Sequence, residues 1–275
     1  MPRGDGRRGF SLVELLMTVA VSSIALASVA KFFSIQSGEL KGHTYRVEAQ
    51  QALRGSLDAI SRDVRLAGAC LPTTGAFIAL TGTNGAGAPD SITVRTGVVR
   101  TNMSCVVAAL TVAMNAGGTT ATVDSVNGFT ANQLVYLSAP AGNGQFQFVT
   151  AVGASTLTLD GGATTTYPVG SGLYAIDERR YTVNTGVQPN QLMLTINRAA
   201  AEAFAAGIPD LQFQYVLAQN CPPCDVVDLP ADTATWRLVN SIRVTATART
   251  VGSVRPQDDV TLTETTEVKP RNLLP

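Results

Sequence analysis

The residues able to do chemistry in this chain are sparse, and the most telling is a carboxylate in an apolar run. Glu14 is the sole charged residue in residues 10–30, FSLVELLMTVAVSSIALASVA. As a helix that run spans about 32 Å, enough for the ~30 Å hydrocarbon core of a bilayer. An ionised carboxylate there costs roughly 2.5–3.5 kcal/mol on an insertion scale, so it calls for a cationic partner. Residues 1–9, MPRGDGRRG, set Arg3, Arg7 and Arg8 against Asp5. That basic flank predicts a cytoplasmic N-terminus, with the rest of the chain across the inner membrane.

Catalytic chemistry has little to work with. The chain holds one histidine, His43, and its lysines are Lys31, Lys41 and Lys269. No Gly-x-Ser-x-Gly elbow and no phosphate-binding loop is present, so no nucleophile or phosphate-transfer motif survives. The acidic pairs Asp258-Asp259 and Asp225/Asp228 are donors of the calcium type, but surface loops carry such pairs routinely. The expectation is a protein that is not an enzyme, with no cofactor and no metal. His43 reads as a solvated or interface residue.

The elements that hold these residues follow from composition and periodicity. The 275 residues include 20 Lys+Arg and 20 Asp+Glu; 45% are hydrophobic and only 15% charged. Low charge with high hydrophobicity excludes a disordered chain. The lack of a basic excess argues against a nucleic-acid partner. In residues 36–68, Leu53, Leu57, Ile60, Val64 and Ala67 recur at steps of three and four, which predicts an amphipathic helix continuous with the apolar run. Arg54, Asp58 and Arg62 lie on another face of it. Gly68 and Pro72 predict its end.

From residue 69 to 176 only Asp90, Arg95, Arg100, Asp124 and Asp160 are charged. Short β-type runs at 91–94, 106–112, 120–123, 134–138, 145–152 and 156–159 are separated by Gly, Asn and Pro clusters. Segment 111–177 reads either as a small barrel-like insertion or as part of one larger sheet. Further strands are expected at 181–183, 192–197, 210–216, 236–250 and 260–268, with a short helix at 199–206. In 240–248, Ile242, Val244, Ala246 and Ala248 alternate with Ser241, Arg243, Thr245 and Thr247, a half-buried antiparallel strand.

Gly9-Phe10-Ser11-Leu12-Val13-Glu14, directly after Arg7-Arg8, resembles the signal of type IV pilins and their relatives. The match rests on Gly9, Phe10 and Glu14. The resemblance implies cleavage between Gly9 and Phe10 by a prepilin peptidase, methylation of the new terminal amine, and pairing of Glu14 in one subunit with the Phe10 amine of a neighbour. Residues 56–68, SLDAISRDVRLAG, resemble the end of the long helix in PilW-type minor pilins. Residues 206–215, AGIPDLQFQY, and Trp236 with the strand after it resemble their later strands. Pseudopilins of type II secretion, of the GspJ kind, share both ends but are usually shorter.

The resemblance implies an α+β, pilin-like fold: a long N-terminal helix, transmembrane in its first half and amphipathic in its second, packed on an antiparallel β-sheet domain with a β-rich insertion. Its parts are a cleaved leader (1–9), a transmembrane and filament-core helix (10–35), the amphipathic half (36–68), a β domain (69–110 and 178–275) and the insertion (111–177). The implied role is a minor pilin that helps to initiate or cap a pilus. The implied partners are other major and minor pilins, the peptidase and an inner-membrane assembly platform. The implied location is the inner membrane, then the cell surface. A type II secretion pseudopilin is the neighbouring reading. A conventionally secreted, β-rich binding or adhesive protein is the reading from another class.

Four cysteines, Cys70, Cys105, Cys221 and Cys224, all follow the membrane segment, where disulfides are permitted. They allow three connectivities. Cys70–Cys105 with Cys221–Cys224 is favoured, the first tying the helix exit to the β domain. Cys221-Pro-Pro-Cys224 also reads as a redox pair or half a zinc site, although it lacks the helix start of the one and the second ligand pair of the other.

Overall fold

The computed structural model describes residues 11–73, 75–187, 190–219, 223–250 and 260–273. One helix, α1 (Leu12–Leu66), takes 55 of these positions. It contains no proline, and its interior is rich in Ala, Leu and Ser. It buries Ala49, Leu53, Leu57, Ile60 and Val64, the apolar stripe of its C-terminal half. The stop is local. Ala67 turns to an extended conformation, and Gly68 adopts φ +80°, where a Cβ would also lie 2.8 Å from the Asn272 carbonyl oxygen. Only glycine meets both conditions.

The strands are β1 (Leu80–Thr83), β2 (Ser91–Gly97), β3 (Val107–Ala109), β4 (Thr120–Thr122), β5 (Leu134–Ser138), β6 (Gly144–Val152), β7 (Thr156–Leu159), β8 (Gly172–Asn184), β9 (Gln191–Ile196), β10 (Glu202–Ala206), β11 (Asp210–Leu217), β12 (Val226–Val227), β13 (Val239–Arg249) and β14 (Thr261–Val268). β11–β14 form a four-stranded sheet in the order β12-β11-β13-β14, and the others share a ten-stranded sheet. All their ladders are antiparallel.

The long strand β8 links two parts of the larger sheet. Its second half pairs with β2 on one side and β9 on the other. Its first half pairs with β3 and β5. From β5 the ladder runs through β6 and β7 to β4. Leu110, just past β3, then bridges Val123, just past β4. The strands therefore close into a small barrel, sealed by Thr111 N to Thr122 O at 2.9 Å and Asp124 N to Ala109 O at 3.0 Å. Alternate inward positions fill it, among them Ala108, Leu110, Ala121, Val123, Val135, Leu137, Leu157 and Leu173. The barrel has its own core, and it is also continuous with the larger sheet through β8.

The other core lies between α1 and both sheets. It joins Leu53, Leu57, Ile60 and Val64 to Ile92, Val94, Tyr181, Leu192, Phe213, Ile242, Val244 and Ala246. Asp90 joins the sheets: its backbone N donates to Leu211 O at 2.8 Å, and its buried carboxylate accepts from the N–H groups of Gly85 and Phe213, each at 2.8 Å.

Two sequence expectations are corrected. The helix expected at 199–206 is instead strand β10, hairpinned to β9. Asn197 and Arg198 both have positive φ, and Ala199 N bonds Ile196 O at 3.0 Å, a turn of the primed type that suits a hairpin. An alanine-rich stretch this short cannot offset the cost of nucleating a helix. Trp236, expected to open a strand, sits on a short helix α2 (Thr233–Arg237) capped by the Asp232 carboxylate. The strand begins at Val239.

Candidate assembly site

The N-terminal half of α1 has no protein around it. Every large apolar side chain from Leu12 to Phe33 is half exposed or more. An 18-residue window of this helix reaches a mean hydropathy of 2.1, so it is long and apolar enough to cross a membrane. Three of its hydroxyls are satisfied within the helix. Thr18 Oγ1 donates to Leu15 O, Ser23 Oγ to Ala20 O and Ser28 Oγ to Ile24 O, at 2.8–2.9 Å. That is how hydroxyls are tolerated where water is absent. Glu14 lies exposed in the first turn, and no ion pair to it occurs among the described residues. Gly9 and Phe10 lie outside the described residues.

The other half of α1 is seated by charge as well as by apolar packing. Asp63 faces the sheet between Ile60 and Val64. Its side chain is 5% exposed. Both of its carboxylate oxygens accept from Arg179 Nη1, at 3.2 and 3.3 Å, and Oδ2 accepts from the Tyr181 hydroxyl at 2.6 Å. Arg179 also donates to Asp177 Oδ2 at 3.0 Å. Burial opposes the charge on Arg179, but Asp63 and Asp177 together hold its pKa above the ordinary value. Burial, then the bond to Asp63, push the Tyr181 hydroxyl well above the usual tyrosine range. Tyr215 is raised in the same way by burial and by Asp90.

These tyrosines make alkaline stability a readout of the core. Both stay protonated in the folded chain above pH 10, the ordinary tyrosine value, whereas the unfolded chain ionises there. Stability contributed by them is intact below pH 10 and falls as pH rises toward the folded pKa. The slope is about 1.4 kcal/mol per pH unit for each tyrosine. Denaturant unfolding of the full chain between pH 8 and 11 is expected to show this decline, with Tyr181→Phe removing one tyrosine's share. A flat profile would contradict the arrangement.

A second buried charge fixes the barrel to the sheet. Glu178 accepts from Arg95 Nε at 2.6 Å and from Arg198 Nε at 3.1 Å. Both guanidinium carbons stand 5.0 Å from the ring centre of Phe146, on barrel strand β6. Burial lowers the pKa of Arg95, and Glu178 opposes the shift. A disulfide between Cys70 and Cys105 ties the chain just after α1 to the loop that leads into β3.

The remaining residues singled out in the sequence are scattered. His43 is exposed on α1. Cys224 is disulfide-bonded, while Cys221 lies outside the described residues, as do Asp258 and Asp259. Asp225 and Asp228 are exposed, and Asp228 accepts from Gln214 Nε2 at 3.4 Å. Among the described residues no group of three His, Cys, Asp or Glu is placed to hold a metal ion. The residues missed in the sequence are Asp63, Arg179 and Tyr181. The available signal was a carboxylate on the apolar stripe between Ile60 and Val64.

Residues 5–30 match the family described as the prokaryotic N-terminal methylation motif, which is the type IV prepilin signal. No curated protein matches the chain. The signal lies at the head of an exposed apolar helix whose other half carries an antiparallel β domain. This arrangement supports a pilin-like protein, either pilin or pseudopilin, and fits anchoring in the inner membrane.

Proposed function

We propose that this chain is a minor pilin of the PilW type. In this reading it is made as an inner-membrane precursor with a cytoplasmic N-terminus, cut by prepilin peptidase between Gly9 and Phe10, and built into a type IV pilus at the cell surface. There it helps to initiate or cap assembly. The observation that carries the reading is the methylation motif at the head of a bare apolar helix.

Cleavage before Phe10 creates an α-amine, the cation that Glu14 calls for. Paired between neighbouring subunits, the two groups specify register more than they add stability. Ala20, Ser23, Ala27 and Ala30 are small enough to let helices approach closely. The partners are other pilins, the peptidase and the assembly platform, and the activity is assembly rather than catalysis. Length favours a minor pilin over a GspJ-like pseudopilin. Sequencing of the mature N-terminus from membranes is expected to yield N-methylphenylalanine at Phe10. A chain starting at Ser28 or Lys31, or an intact Met1, would sink the proposal.

A further inference from the structure

Three Asn-Gly pairs occur in the chain, at Asn84-Gly85, Asn127-Gly128 and Asn143-Gly144. As sequence they are alike, each a turn signal. In the structure their peptide groups meet different charges. Asn127 and Gly128 are the central residues of a barrel turn between β4 and β5, closed by Phe129 N to Val126 O at 3.2 Å. Both are exposed. Gly128 has φ +86°, and a Cβ there would fall 2.9 Å from Arg100 Nε, so the position requires glycine. Among the described residues no hydrogen bond holds the Asn127 side-chain amide or the Gly128 N–H. The Asn127 carbonyl oxygen, in contrast, accepts from Arg100 Nη2. No ion pair to Arg100 occurs among the described residues, and its buried Nε has no acceptor among them.

The other two pairs lack this arrangement. Gly85 N–H donates to the buried Asp90 carboxylate at 2.8 Å, and Asn84 Oδ1 is held by Ala86 N at 2.7 Å. An anion beside that N–H opposes loss of its proton. The Asn143 carbonyl oxygen accepts a neutral backbone N–H, that of Ala139, at 2.8 Å. Of the three, Asn127 is the one whose peptide carbonyl holds a cation among the described residues.

We infer that Asn127-Gly128 is a self-modifying site, at which Arg100 promotes conversion of Asn127 to isoaspartate. Asparagine is among the thermolabile residues. The Gly128 nitrogen loses its proton and attacks the side-chain carbonyl carbon of Asn127. The bond from that carbon to the side-chain nitrogen breaks, and ammonia leaves with the proton. The product is a five-membered cyclic imide. Water then opens it. Addition at the side-chain carbon gives aspartate, and addition at the main-chain carbon gives isoaspartate; nothing is oxidised or reduced. The charge of the deprotonated Gly128 nitrogen is shared with the Asn127 carbonyl oxygen, where Arg100 donates. The guanidinium therefore stabilises the attacking form as an oxyanion donor does. The same bond favours water at the main-chain carbon. There the oxygen held by Arg100 becomes part of a carboxylate, which gives the guanidinium its anion. Either product adds one negative charge to residues 111–176, whose charged side chains are Asp124 and Asp160. The inference is independent of the pilin reading.

The test incubates the full chain, exported and purified in detergent, at mildly alkaline pH. Samples are digested at intervals and the three Asn-Gly peptides followed by mass spectrometry, with isoaspartate told from aspartate by its resistance to endoproteinase Asp-N. Asn127 is expected to convert first and mainly to isoaspartate, Asn143 more slowly and Asn84 last. Arg100→Gln is expected to slow Asn127 about tenfold, less than the ~10²–10³ of a shielded oxyanion donor because this site faces water. Asn143 in the same sample is expected to keep its rate. Arg100→Lys keeps the charge without the planar fork and is expected to fall between. In urea the wild type and both variants should convert Asn127 at one rate. Circular dichroism confirms that each variant is folded, and the order in the wild type decides the matter if neither is. Asn84 or Asn143 converting as fast as Asn127 in the folded wild type overturns the inference. An Asn127 rate unchanged or raised in folded Arg100→Gln also overturns it, since Arg100 would then only brace the turn, and so does a slowing that persists in urea.

Discussion

Replacing Asp63 by Ala is expected to destabilise the seating of α1 on the sheets by about 3 kcal/mol, the low end of the range for breaking a buried ion pair. The carboxylate is 5% exposed and takes three hydrogen bonds from Arg179 and Tyr181. Without it the buried Tyr181 hydroxyl has no acceptor, which costs about 1–3 kcal/mol by itself. Arg179 fares better. It is 31% exposed and keeps Asp177 at 3.0 Å, which is why the low end is expected. Arg62, 3.5 Å from Asp63 but 68% exposed, adds little. Asp63→Asn preserves an acceptor for Tyr181 and loses only the charge, so its cost is expected to be about half as large. Urea unfolding of the full chain in detergent, followed by circular dichroism, measures both. A double-mutant cycle with Tyr181→Phe should show coupling of about 1 kcal/mol or more. A loss below about 0.5 kcal/mol for Asp63→Ala, the size of an ordinary surface change, would refute the account.

Asp63 also marks where sequence reading stops. The stripe Leu53, Leu57, Ile60, Val64 and the terminating Gly68 are local patterns, and the structure places them as the periodicity implies. Most strands are equally local, set by β-branched alternation between Gly and Asn turns. The partners of Asp63 are not local, since Arg179 lies 116 residues away. The sequence shows only that a carboxylate interrupts an apolar face. Closure of the barrel has the same character. It depends on whether Leu110 meets Val123, and the alternation of either segment is the same in a barrel or an open sheet. At 199–206 the local signal was misleading, because alanine content pointed to helix while the turn at Asn197-Arg198 decided for a hairpin. Glu14 is the opposite case. A carboxylate in an apolar run is informative without any partner in view, so the candidate assembly site was legible where the seat of the helix was not.

The double substitution Cys70→Ser/Cys105→Ser is expected to lower stability by about 4 kcal/mol on the chain-entropy estimate for a loop of this size, the two cysteines being 35 positions apart. The enclosed loop carries β1 and β2, so opening it frees the strands that join α1 to both sheets. The crossing is also held by backbone bonds, Gly68 N to Arg95 O at 3.0 Å and Gly97 N to Ala69 O at 2.7 Å. Gly97 is needed there because a Cβ would fall 2.6 Å from that of Cys70. The folded geometry of the crossing should therefore survive the substitution, with the loss appearing in the unfolding free energy rather than in the circular dichroism of the native state. Removing both cysteines avoids a lone thiol, and it separates this bridge from the one at Cys224, which a reductant would break as well. Wild type and double variant made in a reducing cytosol, where neither has a bridge, should match each other, and wild type exported to an oxidising compartment should exceed the exported double variant by the full amount. A difference under about 1 kcal/mol between the exported wild type and the double variant would mean that the backbone bonds alone hold the helix exit.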